Sequence, residues 1–140
     1  MGVFIKLTAL KRNEIAFSKE ILVDVNDIVT PIVENELGQS IIEVDTNVSY
    51  SESYFESREK YVVAQDLDAI DALTDEVFKG TIITYKKRAP YTPEALFVKS
   101  RIVGTVKSGP DDVSEFDYKI MSMSSPETYV VSESLDTINS

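Results

Sequence analysis

Apolar and polar residues alternate from the first positions of the chain. Phe4, Lys6 and Thr8 fall on one side and Ile5, Leu7 and Ala9 on the other, the period-two pattern of a half-buried strand. Polar residues 11–14 turn the chain, and a second alternation puts Ile21, Val23 and Val25 on one face and Leu22 and Asp24 on the other. Asn26 and Asp27 carry turn chemistry, because their side chains bond to nearby backbone. A third strand is expected from Ile28, with Pro31 removing an amide donor and so favouring an edge. Leu37-Gly38-Gln39 marks a hairpin-like connection into the clearest amphipathic strand, where Ile42, Val44, Val48 and Tyr50 alternate with Ile41, Glu43, Asp45, Asn47 and Ser49. Residues 60–64 give a short β-branched strand. The spacing of Leu67, Ile70, Leu73, Val77 and Phe78 then predicts a helix capped by Asp66, helped by Asp68 in its first turn and closed by Lys79 and a left-handed Gly80.

The same order of elements returns. Tyr61-Val62-Val63-Ala64-Gln65-Asp66-Leu67-Asp68 is echoed by Tyr129-Val130-Val131-Ser132-Glu133-Ser134-Leu135-Asp136. Glu20-Ile21-Leu22-Val23 with Ile28-Val29 is echoed by Glu94-Ala95-Leu96-Phe97 with Ile102-Val103 at identical internal spacing. Residues 81–85, 96–98, 101–106 and the Phe116/Tyr118/Ile120 alternation supply the strands of the second copy, with a turn at 108–111. The fold class expected is mainly β with minor α: two tandem small antiparallel β-barrel or sheet modules, 1–80 and 81–140, the first followed by a helix. The second module ends in a truncated helix opened by Ser134, which leaves an apolar face for the first helix or another subunit to cover.

Two segments stand out as partner-binding candidates. Val29 to Tyr61 is a longer stretch than Val103 to Tyr129, so residues 49–60 form an extra loop or hairpin, and Tyr50, Tyr54 and Phe55 within it are the aromatic types that favour interfaces. Lys86, Lys87 and Arg88 form the only basic cluster, in the turn that Lys11 and Arg12 occupy in the first copy; it suits a solvated turn or contact with an acidic neighbour such as another copy of this chain. Met121 and Met123 read as core fillers or adaptable contacts.

Charge and composition narrow the chemistry. With 24 acidic against 14 basic residues the net charge is −10, which argues against nucleic acid as a partner. A hydrophobic fraction of 43% with 27% charged residues suits a folded chain, and no run approaches the roughly 18 apolar residues of a membrane helix or the pattern of a signal peptide. The chain has no histidine and no cysteine, which removes triads, thiolate nucleophiles and most zinc sites. Asp66-Leu67-Asp68-Ala69-Ile70-Asp71 lacks the glycine and the twelfth-position glutamate of a calcium loop, so capping is the reading preferred over metal binding. The five glycines, Gly2, Gly38, Gly80, Gly104 and Gly109, build no phosphate-cradling loop. No catalytic, metal or cofactor site and no small-molecule substrate is expected; the chain reads as no enzyme.

Ile5-Lys6-Leu7-Thr8, Val25-Asn26-Asp27-Ile28-Val29 and Tyr61-Val62-Val63 leading into a capped acidic helix resemble the small FlbD-type proteins of bacterial flagellar operons and similar small β-proteins of bacteriophages. Tyr129-Val130-Val131-Ser132-Glu133-Ser134-Leu135 resembles the same closing motif. In their tandem arrangement the modules also resemble accessory structural proteins of tailed-phage virions, including the crAss-like group. That resemblance implies a non-enzymatic virion component, of the capsid, portal-collar ring or tail, assembled in the host cytoplasm. Its partners would be other virion proteins and itself as a homo-oligomer, with no cofactor. A cytoplasmic adaptor or regulatory module is the alternative.

Overall fold

The β-branched and aromatic alternations settle into ten strands and two one-turn helices in the computed structural model, which describes residues 4–45, 58–83, 93–109, 113–120 and 126–139. β1 (Phe4–Arg12) runs antiparallel to β2 (Ile15–Asp24). The faces are those that the alternation demands: Ile5, Leu7 and Ala9 are buried while Phe4 and Lys6 face outward. Asn13 and Glu14 form the two-residue hairpin between Arg12 and Ile15, with φ of 48° and 71°. Positive φ at both positions matches the right-handed twist of the strands. Lys11 and Arg12, expected in the turn, close β1 instead. Asn13 N–H donates to Lys60 O and Asn13 Oδ1 accepts from Lys60 N–H, pinning the hairpin tip to the neighbouring strand.

Glu14 is the costly member of that turn. Asn tolerates the left-handed region, whereas a glutamate there strains Cβ against its carbonyl, and its exposed ion pair with Lys60 at 3.9 Å returns little. Glu14→Gly is expected to raise stability by about 1 kcal/mol, read as a higher midpoint in urea.

A 3₁₀ turn at Val25–Asp27 carries the chain round the corner, its first amides capped by Asp24 Oδ1, which accepts from Asn26 N–H. The strand expected from Ile28 is split. Ile28 bridges Val44, Pro31 interrupts the ladder because it has no N–H, and pairing resumes at β3 (Val33–Glu34). Asn35 Oδ1 accepts from Leu37 and Gln39 N–H, and Gly38 takes φ of 76°, so the Leu37-Gly38-Gln39 connection is a hairpin turn. β4 (Ser40–Asp45) and β5 (Arg58–Val63) complete a five-stranded antiparallel sheet in the order β2-β1-β5-β4-β3.

α1 (Leu67–Asp71) is capped by Asp66, whose Oδ1 accepts from Ala69 N–H at 2.8 Å. It is far shorter than the helical spacing predicts. Val77 and Phe78 lie in β6 (Val77–Thr81), which pairs with β7 (Glu94–Val98), and Leu73 is exposed. Val77 and Phe78 fit helical spacing, but they also fit a strand, and pairing with β7 decides the matter. Gly80 is correspondingly not a left-handed cap. It is extended mid-strand, where an added Cβ would lie 3.0 Å from the Phe97 ring and 3.2 Å from both Phe78 and Val131. The first strand of the second half thus opens at Val77 rather than Thr81.

A second 3₁₀ turn, Lys99–Arg101, leads to β8 (Ile102–Ser108), then β9 (Ser114–Tyr118), β10 (Glu127–Val131) and α2 (Leu135–Asn139). Ser134 Oγ accepts from Thr137 N–H to open α2. Each helix spans five residues, so the expected contrast between a full lid and a truncated one is not observed.

The two halves share a set of equivalent bonds. Thr8 N–H donates to Gln65 Oε1 and Thr8 O accepts from Ala64 N–H; Thr81 N–H donates to Glu133 Oε1 and Thr81 O accepts from Ser132 N–H. Val63 faces Ala9 and Ser40 as Val131 faces Ile82 and Ser114. Tyr61 and Tyr129 each donate a hydroxyl hydrogen two residues back, to Glu59 and Glu127.

The interior is shared. Buried side chains from both halves form one contiguous apolar cluster. At its centre Phe97 stacks on Phe78 at 5.2 Å and meets Phe116, Tyr118 and Tyr129 edge-on at 5.0, 5.5 and 5.2 Å. Val98 N–H donates to the buried Tyr118 hydroxyl at 2.9 Å, and burial pushes that hydroxyl up to about 12.

Candidate functional site

A surface for partners is built where the sheet stops. Among the described residues β2 pairs with β1 alone and β8 with β9 alone, so each presents there one edge of unpaired backbone N–H and C=O groups. β2 also places large apolar groups in solvent: Leu22 is 67% exposed, Ile15 71%, and Phe4 on the adjoining strand 58%. Phe4 lies opposite Asp24 and Leu22 opposite Lys6, so both apolar groups share the outer face of the β1/β2 hairpin. Val103 is exposed on β8.

Beside this edge lies an open depression of about 180 Å³ lined by Phe4, Leu22, Asp24, Asp27, Val44 and Tyr61, among others. Its Tyr61 and Glu59 are committed locally. Tyr61 donates to Glu59 at 2.6 Å while Glu59 pairs with Arg12 at 2.9 Å. Burial, reinforced by the bond to Glu59, pushes the Tyr61 hydroxyl up to about 12, so it remains a protonated donor. Chemically the depression offers apolar contact with a carboxylate rim.

Burial raises the Asp27 carboxyl above its ordinary 3.8, with Asp24 and Asp45 adding to the rise and Arg101 opposing it. A carboxyl held higher in the folded chain than in the unfolded one favours folding while protonated, and that contribution is lost as pH rises through the folded value. Asp27→Asn is therefore expected to raise the melting temperature at about pH 7, with the gain vanishing at about pH 3. Parallel thermal melts at the two pH values check it.

The halves meet at a joint that uses the same kind of edge. Ile32 and Leu96 exchange both backbone hydrogen bonds at 2.9 Å, tying the β3 side of the first half to β7 of the second, and both side chains are fully buried. The two 3₁₀ turns lie together as well: Ser100 Oγ donates to Asn26 Oδ1 at 2.8 Å and Arg101 Nη2 to Asn26 O at 3.0 Å.

The partner-binding candidates Tyr50, Tyr54, Phe55, Lys86, Lys87 and Arg88 all lie outside the described residues, as do Met121 and Met123. Asp66 and Asp68 are placed: Asp66 caps α1 and Asp68 pairs with Lys79 at 2.6 Å. Among the described residues no three Asp or Glu gather as a metal-holding group, and no helix is long and apolar enough to cross a membrane. Sequence reasoning passed over Phe4 and Leu22, although the signal was present, since each is a large apolar residue on the polar side of its alternation. Comparison with protein-family models, curated proteins and solved structures finds no match to this chain.

Proposed function

We propose that this chain is a non-enzymatic structural or assembly protein that acts through protein–protein contacts. The observation that carries the reading is the open end of the β1/β2 hairpin, where Phe4 and Leu22 stand together in solvent beside the edge that β2 leaves unpaired among the described residues. Natural proteins blunt exposed edges, and exposed apolar groups gathered at one are the mark of a surface that is covered in use. The resemblance to phage accessory proteins gives the setting: a virion component of the capsid, portal-collar ring or tail, with other virion proteins and further copies of itself as partners.

Light scattering of the purified chain, together with mass spectrometry of phage particles from its source, tests this. Self-association, and presence in particles at a fixed stoichiometry, are the expected results. A chain that stays monomeric and is absent from particles contradicts the reading.

A further inference from the structure

The joint inside one chain has an unused twin. The ladder of the first half places Val33 opposite Ile41 and Glu34 opposite Ser40; that of the second places Lys107 opposite Glu115 and Ser108 opposite Ser114. Each second pair is the repeat of the first, so Val106, just before Lys107, occupies the place that Ile32 holds just before Val33. The irregular stretch before it is repeated too. Pro31 breaks the ladder in the first half, and Gly104, at φ of 82°, lies in the register shift of the second.

On the other side of the joint, Leu96 lies opposite Lys79 and Leu22 opposite Lys6. Thr8 turns its N–H and C=O toward the β5 side, away from β2. Lys6, two residues earlier, has the same phase, so Leu22 directs its own N–H and C=O away from β1, out over the free edge. Leu96 does the same in the second half and there meets Ile32. Leu22 and Val106 are thus the repeat equivalents of Leu96 and Ile32.

Their burial differs in the direction expected of a joint waiting for its other side. Leu96 and Ile32 are both 0% exposed, whereas Leu22 is 67% exposed and Val106 is half-buried. An exact two-fold between the halves would pair Leu22 with Val106 inside one chain. Among the described residues β2 and β8 stay separate edges, so each chain carries one unmatched edge of each kind.

We infer that copies of this chain associate head to tail, the β8 edge at Val106 of one copy adding to the β2 edge at Leu22 of the next and repeating the Ile32/Leu96 joint between molecules. Such a contact is heterologous. It continues into a ring if the rotation closes and into a filament if it does not. The inference rests on the structural-protein reading above and names the partner surface that reading leaves open.

The chain has no cysteine, so a disulfide can report the contact without background. Directly opposed residues of paired strands lie about 4.5–5.5 Å apart at Cα, within reach of a disulfide. Leu22→Cys and Val106→Cys are made singly, checked for folding by circular dichroism, and oxidised alone and mixed. The mixture is expected to give a cross-linked dimer that neither variant gives alone, and the double variant a ladder of multimers. A dimer from either single variant alone, or only an intramolecular disulfide in the double variant, overturns the inference. Leu22→Lys provides a second reading that does not depend on the half-buried Val106: its exposed site tolerates the change, and light scattering is expected to fall to the monomer mass. Self-association that persists in Leu22→Lys, with no cross-link in the mixture, overturns the inference while leaving the structural-protein reading intact; a wild-type chain that never associates overturns the inference and counts against that reading.

Discussion

Phe97→Ala is expected to remove about 3–5 kcal/mol of stability, a large share of the roughly 5–15 kcal/mol that holds a domain of ordinary size. Phe97 is fully buried and touches four other rings, Phe78, Phe116, Tyr118 and Tyr129. Truncation loses the transfer free energy of the ring and leaves a cavity walled by those aromatics, which strand pairing holds in place and which therefore cannot collapse fully. The urea midpoint is expected to drop sharply with little change in slope, because the surface exposed on unfolding stays nearly the same. A shift of less than about 1 kcal/mol would mean that this aromatic cluster does not carry the core.

Ile32→Ala is expected to cost about 2–5 kcal/mol, for a different reason. Its backbone bridge to Leu96 survives the substitution, but a fully buried side chain at the junction of the halves is lost. Because the apolar cluster runs through that junction, the loss is expected to lower both halves together. Far-ultraviolet circular dichroism and tyrosine absorbance, to which the seven tyrosines of both halves contribute together, should move along one urea curve. Two separated transitions would show that the halves unfold independently.

The parts of this fold that were legible in the sequence are those decided by local alternation. Ile5, Leu7 and Ala9 could face only one way once Lys6 and Thr8 faced the other, and Leu37-Gly38-Gln39 marked its turn by local chemistry, to which the structure adds the Asn35 side chain as acceptor. The echo of Tyr61-Val62-Val63 in Tyr129-Val130-Val131 likewise anticipated matched hydrogen bonds around Ala64 and Ser132. Errors arose where a distant strand decides. Val77 and Phe78 satisfy helical spacing, and only β7, far along the chain, draws them into a sheet. Gly80 resembled a helix stop because its actual requirement, room for the Phe97 ring, belongs to tertiary contact.

The candidate surface was half visible. Phe4 and Leu22 were assigned to outer faces by alternation, and their size there was the signal. The equivalence of Val106 with Ile32 follows from the constant spacing that sets Ile28-Val29 against Ile102-Val103, but their unequal burial and pairing were not legible, because the Ile32 bridge to Leu96 is a tertiary contact.

Native-state hydrogen exchange on wild type and Phe97→Ala tests most directly whether the repeated halves share one cooperative core. The amides of Ala64 in the first half and Ser132 in the second, both bonded to the equivalent threonine carbonyls, are expected to exchange with similar opening free energies in the wild type and to lose protection by the same amount in the variant. Loss confined to Ser132, with Ala64 unchanged, would contradict it.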